Sequence, residues 1–148
     1  EARAALFFGT LISYAQGLAL LVEASKEYDM EIPLPDVVKI WRGGCIIRST
    51  LLETFYQAYV KNASLPNILL DSHIADLLKT RTANTRSFIA VAAQAGIPVS
   101  ALAVSLGYFD AYRSAVMPTN LIQAQRDFFG AHTYQRIDEE GIFHSNWQ

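Results

Sequence analysis

Ala4-Ala5-Leu6-Phe7-Phe8-Gly9-Thr10-Leu11-Ile12-Ser13-Tyr14-Ala15-Gln16-Gly17-Leu18-Ala19-Leu20-Leu21-Val22 is nineteen consecutive positions without a charge. That is about the length of a membrane span. The stretch also carries Thr10, Ser13, Tyr14, Gln16 and two glycines, and no second segment of its kind follows. A helix that is apolar nearly all round has to be enclosed, and protein encloses it as well as lipid does. We therefore read it as the core helix of an all-α domain, running from about Ala2 to Tyr28.

Working outward, Glu31-Ile32-Pro33-Leu34-Pro35 forces an extended connection, and Asp36 is placed to cap a short helix over Val37 to Arg42. Gly43-Gly44 follows as a helix junction. Ile47, Leu51, Phe55 and Tyr59 recur every four residues and predict a third helix with one apolar stripe. Leu70, Ile74, Leu77 and Leu78 predict a fourth, and Phe88, Ala92 and Ala95 a fifth ending at Gly96 before Pro98. Lys79, Arg81 and Arg86, interspersed with threonines, read as a solvated junction between those two. Ser100 caps the sixth, with Leu102, Leu106, Phe109 and Tyr112 facing inward. Asn120 to Gly130 is the seventh. No alternating strand pattern or internal repeat is present. The expected fold is an all-α multi-helix bundle of about seven helices over residues 1–134, with an extended tail over 135–148 whose Ile142, Phe143 and Trp147 are too apolar to hang free and should dock either on this chain's own bundle or on a partner chain.

Composition narrows the function. The chain has 148 residues, 51% of them hydrophobic, and a formal charge of −2. It is long enough to bury about two thirds of its unfolded surface. Its basic residues are scattered, which argues against nucleic acid as a partner. Cys45 is the single cysteine, so no internal disulfide or thiolate zinc site is available; it reads as a small buried residue in a reducing, cytoplasmic setting. Three histidines, His73, His132 and His144, are too far apart in sequence for a metal site. Arg42 and Arg48 flank the glycine pair and read as structural, each requiring a carboxylate or carbonyl if buried, with a second anion site as the functional alternative. The chain shows no dinucleotide fingerprint and no nucleophile with a base.

The seventh helix carries the most chemistry. Asn120 with Gln123 reads as a capping box after Pro118, and Gly130 suits the left-handed position that ends a helix. Arg126 and His132 would lie roughly 120° apart on a continuous helix, so they converge only if the chain turns after Phe129. Together they would offer a planar fork of donors and a ring nitrogen, suited to a phosphate monoester or a carboxylate. Spacing alone leaves the choice open. An arginine in a last helical turn often meets only the macrodipole, and a histidine beyond a cap is often a plain surface residue.

Ile122 to Tyr134 resembles the C-terminal signature of the decarboxylating 6-phosphogluconate dehydrogenases. Three other stretches resemble that family in order and spacing: Ile12-Ser13-Tyr14-Ala15-Gln16-Gly17, Trp41-Arg42-Gly43-Gly44-Cys45-Ile46-Ile47-Arg48-Ser49, and Gln94-Ala95-Gly96-Ile97-Pro98. The resemblance covers nearly the whole chain but only the C-terminal part of such an enzyme. It implies that the nucleotide-binding domain and the helix with the catalytic lysine and glutamate lie outside this chain. Family members oxidise 6-phosphogluconate with NADP, decarboxylate it and release ribulose 5-phosphate in the pentose phosphate pathway. The resemblance further implies a homodimer in which Arg126 and His132 hold the substrate phosphate of the neighbouring subunit, and a tail that crosses to that subunit. No catalytic residue, metal site or bound cofactor is expected in this chain, and neither is a membrane partner. A stand-alone helical interaction module is the alternative from a different class.

Overall fold

A computed structural model describes residues 1–147. Among them are six α-helices: α1 (Ala2–Glu27), α2 (Leu34–Arg42), α3 (Leu51–Lys61), α4 (Ser72–Gln94), α5 (Ser100–Tyr112) and α6 (Asn120–Gly130), with a 3-10 turn at Ile68–Leu70. The only ladder pairing among the described residues is an isolated antiparallel bridge between Tyr134 and Phe143. The chain forms two compact units, Glu1–Tyr112 and Arg113–Gln148.

In the first unit α1 is the helix around which the others pack. By length and composition it would also pass for a membrane span. Ala5, Phe8, Leu11, Ile12, Ala15 and Leu18 nevertheless fall on one face at helical spacing and are fully buried. Leu6 and Leu20, on the outer face, are exposed. The buried face meets Leu52, Phe55 and Tyr59 of α3 and Ile74 and Leu78 of α4 in one core. Gly9 allows α5 to come close: a Cβ there would stand 2.6 Å from Cδ2 of Leu102. Phe8 meets Phe109 edge-on at 5.3 Å. Asn67, buried, uses its whole amide, accepting from Leu69 N–H and donating to the Tyr108 hydroxyl at 3.0 Å.

Several expectations are corrected. The fourth and fifth helices are one, α4, and the Lys79–Arg86 stretch is its middle rather than a junction. Thr80, Thr82 and Thr85 turn their hydroxyls back onto carbonyls of the preceding turn, which satisfies these polar β-branched residues without breaking the helix. Arg81 lies over the Phe7 ring at 4.1 Å, and Arg86 pairs with Asp110 of α5 at 2.5 Å. The cap of α4 is Asp71, whose carboxylate accepts from the His73 and Ile74 N–H groups. Helix α2 starts at Leu34, ahead of Asp36, because Pro35 is tolerated in a first turn, where its missing N–H has no partner to lose. Ile47 lies outside α3 and is exposed, so the stripe begins at Leu51. On α5, Leu106 and Phe109 pack against the core as expected and Ser105 is buried with them, but Tyr112 is exposed.

Candidate functional site

The second unit holds Arg126 and His132. Helix α6 begins with Asn120 already helical and Thr119 at the cap, so the capping box does not form; the Gln123 N–H bonds to the Thr119 carbonyl instead. Gly130 is the last helical residue, not the left-handed one. That conformation belongs to Ala131 (φ 50°) and again to Thr133 (φ 61°).

The turn does what convergence requires. A Cβ on Gly130 would stand 2.7 Å from Nε2 and 2.9 Å from Cδ2 of His132, so the imidazole has folded back over the end of α6 into the place of a side chain at 130. Position 130 is four residues beyond Arg126, about 40° away on the helix and one turn along it. The ring thereby serves as the i+4 neighbour of Arg126. Both residues are exposed. Neither side chain has a hydrogen bond or ion pair among the described residues. The C-terminal end of a helix presents carbonyls rather than N–H donors, so an anion bound there depends on these two side chains.

The carboxylate of Asp127, between exposed neighbours, is fully buried. Oδ1 accepts from the Thr133 N–H at 3.1 Å and lies 2.8 Å from Nδ1 of His144; Oδ2 accepts from the Ser145 N–H at 2.8 Å and the Trp147 indole at 2.9 Å. An ionised carboxylate only accepts, so Nδ1 of His144 carries the proton. Burial works to raise the Asp127 pKa, but the donors, led by His144, outweigh it and hold the value at about 2. Local sequence gave no sign of this, since three of the four donors lie 17 to 20 residues downstream.

The tail makes its contacts within the second unit. Phe143 stacks on Tyr134 at 6.1 Å, and Trp147 meets Phe128 edge-on at 5.9 Å. Backbone bonds in both directions join Tyr134 and Phe143. Ile137 and Ile142 remain exposed.

In the first unit, Arg42 pairs with Glu53 at the surface. Arg48 is exposed beside an open hollow lined with Arg42, Ser49, Thr50 and Glu53. Cys45 is a free, exposed thiol rather than a buried one, because the chain between α2 and α3 runs over the surface. Tyr14 donates to the Ile47 carbonyl and packs on Phe55 at 5.3 Å. Among the described residues no three His, Cys, Asp or Glu side chains gather as metal ligands would.

Comparison with known proteins shows the family. Residues 1–147 match the family model described as 6-phosphogluconate dehydrogenase, C-terminal domain. The decarboxylating 6-phosphogluconate dehydrogenase of Lactococcus lactis subsp. lactis is 47% identical over 145 residues, which is 98% of this chain and 31% of that protein. The Bacillus subtilis relative, named as NADP(+)-dependent and decarboxylating, is 46% identical over the same shares, 98% and 31%. A Plasmodium falciparum 6-phosphogluconate dehydrogenase, solved in its apo form, with NADP+ and with 6-phosphogluconate, superposes with a TM-score of 0.90 at 42% identity, covering 97% of this chain and 31% of that one. The chain thus spans 31% of the length of the relatives it matches. On this evidence the chain belongs to the 6-phosphogluconate dehydrogenase family, as its C-terminal domain.

Proposed function

We propose that this chain works as the C-terminal helical domain of an NADP-dependent, decarboxylating 6-phosphogluconate dehydrogenase, a cytoplasmic homodimer in which Arg126 and His132 grip the substrate phosphate of the partner's active site. The observation that carries the reading is the His132 ring folded over Gly130, one turn from Arg126, with both side chains exposed and, among the described residues, unpaired. A guanidinium meets two phosphate oxygens with parallel N–H bonds, and an imidazole N–H meets a third. The clamp binds the end of the substrate remote from the reacting carbons, so its energy goes into affinity and positioning. No residue of this chain is assigned a proton transfer. The exposed, unpaired Cys45 suits a reducing cytoplasm.

The test uses the complete dehydrogenase carrying this chain. Arg126→Ala removes a charge-assisted contact of about 2 kcal/mol, so KM for 6-phosphogluconate should rise about 30-fold while KM for NADP holds. Arg126→Lys should recover part, since an ammonium lacks the planar fork. Mixing Arg126→Ala subunits with subunits lacking the proton-transferring lysine should restore activity through heterodimers with one intact site. An unchanged KM, or proven subunit exchange with no activity returning, defeats the clamp in trans.

A further inference from the structure

We propose that Asp127 is the positioning residue of the Arg126–His132 pair, fixing through its buried carboxylate the turn that carries His132 and joining that turn to the tail at 144–147. The inference rests on the phosphate reading above. Asp127 holds both neighbours of His132: its backbone carbonyl accepts from the Ala131 N–H at 2.9 Å and its side chain from the Thr133 N–H at 3.1 Å. Both neighbours have left-handed backbones, a conformation costly for a residue with a Cβ and kept only where the surroundings impose it. The second oxygen is committed to the tail, to Ser145 N–H and the Trp147 indole.

The sign of the charge also bears on the assignment. A carboxylate next in sequence to a phosphate-binding arginine would repel the phosphate if it faced the ligand. Asp127 is fully buried, with four donors turned toward it, so its charge is spent inward on holding the loop. An asparagine would fill the same space with one acceptor oxygen, and its NH2 would face N–H donors. The turn would lose part of its hold with little change in volume.

The experiment measures, in the complete enzyme, KM and kcat for 6-phosphogluconate and the competitive inhibition constant of inorganic phosphate. Asp127→Asn should raise KM and the phosphate constant together, by about tenfold, and leave kcat within about twofold. Added to an Arg126→Ala/His132→Ala background, where no clamp remains to be positioned, it should raise KM no further. A fall in kcat with KM and the phosphate constant unchanged, or a full additional effect in the clampless background, would show a merely structural residue and overturn the proposal. If Asp127→Asn does not fold, His144→Ala/Trp147→Phe decides, because it keeps Asp127 and withdraws two of its four donors. A rise of about threefold in the phosphate constant supports the proposal, and no rise overturns it. The phosphate reading fails separately, if Arg126→Ala itself leaves KM and the phosphate constant unchanged.

Discussion

The imidazole of His132 stands where a side chain on Gly130 would have to go: Nε2 would lie 2.7 Å from a Cβ at that position. Position 130 is glycine for space, since the left-handed residue ending α6 is Ala131. Gly130→Ala sets two effects against each other. In a helix alanine is better than glycine by about 1 kcal/mol, so the secondary structure gains. The ring, however, has to swing away from Arg126. We expect thermal stability unchanged or slightly raised, with a several-fold increase in KM for 6-phosphogluconate in the complete enzyme. Lower stability at unchanged KM would count against the ring's present position as the one that binds.

Tyr59 is fully buried in the first unit, and its hydroxyl has no hydrogen-bond partner there. An unmade bond on a buried polar group costs about 1–3 kcal/mol, so Tyr59→Phe should leave denaturant stability unchanged or raise it by about 1 kcal/mol. Burial also pushes the phenol pKa well above its ordinary 10.0. The folded state therefore holds this proton more tightly than the unfolded state does. The linked stabilisation is complete below pH 10 and is lost as pH climbs above it toward the folded value. Alkaline unfolding should be shallower in Tyr59→Phe than in the parent. Identical alkaline curves, or a loss of more than about 1 kcal/mol, would mean that the hydroxyl has a partner in solution.

Gly9 sits where α5 approaches α1, with Leu102 Cδ2 at 2.6 Å from the position of a Cβ. Alanine is tolerable, because a leucine methyl swings aside and helix propensity rises. Valine is stiff at χ1 and branched at the point of contact. Gly9→Val should therefore cost about 1–3 kcal/mol in urea unfolding, with Gly9→Ala within about 1 kcal/mol of the parent. Equal stability for all three would show that the helices stand farther apart.

How much the sequence told depended on whether the deciding contacts were local. The uncharged run at Ala4–Val22 announced a core helix because enclosure is required by its own composition, and Gly96 ended α4 as expected, with φ 68°. The polar stretch around Lys79–Arg86 looked like a break. Its hydroxyls are satisfied within the helix, and the packing that keeps it helical includes Arg81 on Phe7, a residue far away in sequence. Arg126 and His132 stood out through the pattern around them, and spacing required a turn before they could meet, a turn the chain makes at Ala131. The sequence placed the left-handed residue at Gly130 because a glycine after a helix usually serves dihedral freedom. Asp127 went unseen because an aspartate inside a polar helix looks solvated until the tail's donors are brought back to it.

That carboxylate also gives the second unit a defined acid response. Asp127 titrates at about 2 in the folded chain against an ordinary 3.8, so the unfolded state takes up the proton first as pH falls. The stabilisation is whole above about pH 4 and is lost progressively as pH drops through about 2. Protonation leaves an O–H where an acceptor was needed and removes the charge that the four donors face, so the hold on the tail loosens. The reporter is built in: Trp147 is one of two tryptophans, and Trp41→Phe leaves it as the only emitter. Its indole N–H bonds to the carboxylate and its ring packs on Phe128, so release should shift emission to longer wavelength. We expect this shift between about pH 4 and pH 2 in the Trp41→Phe background. With Asp127→Asn added, emission should already be red-shifted at neutral pH and flat across that range. Emission unchanged down to pH 2 in the parent background, or an acid transition that survives Asp127→Asn, would show that the tail is held by its aromatic packing and not by Asp127.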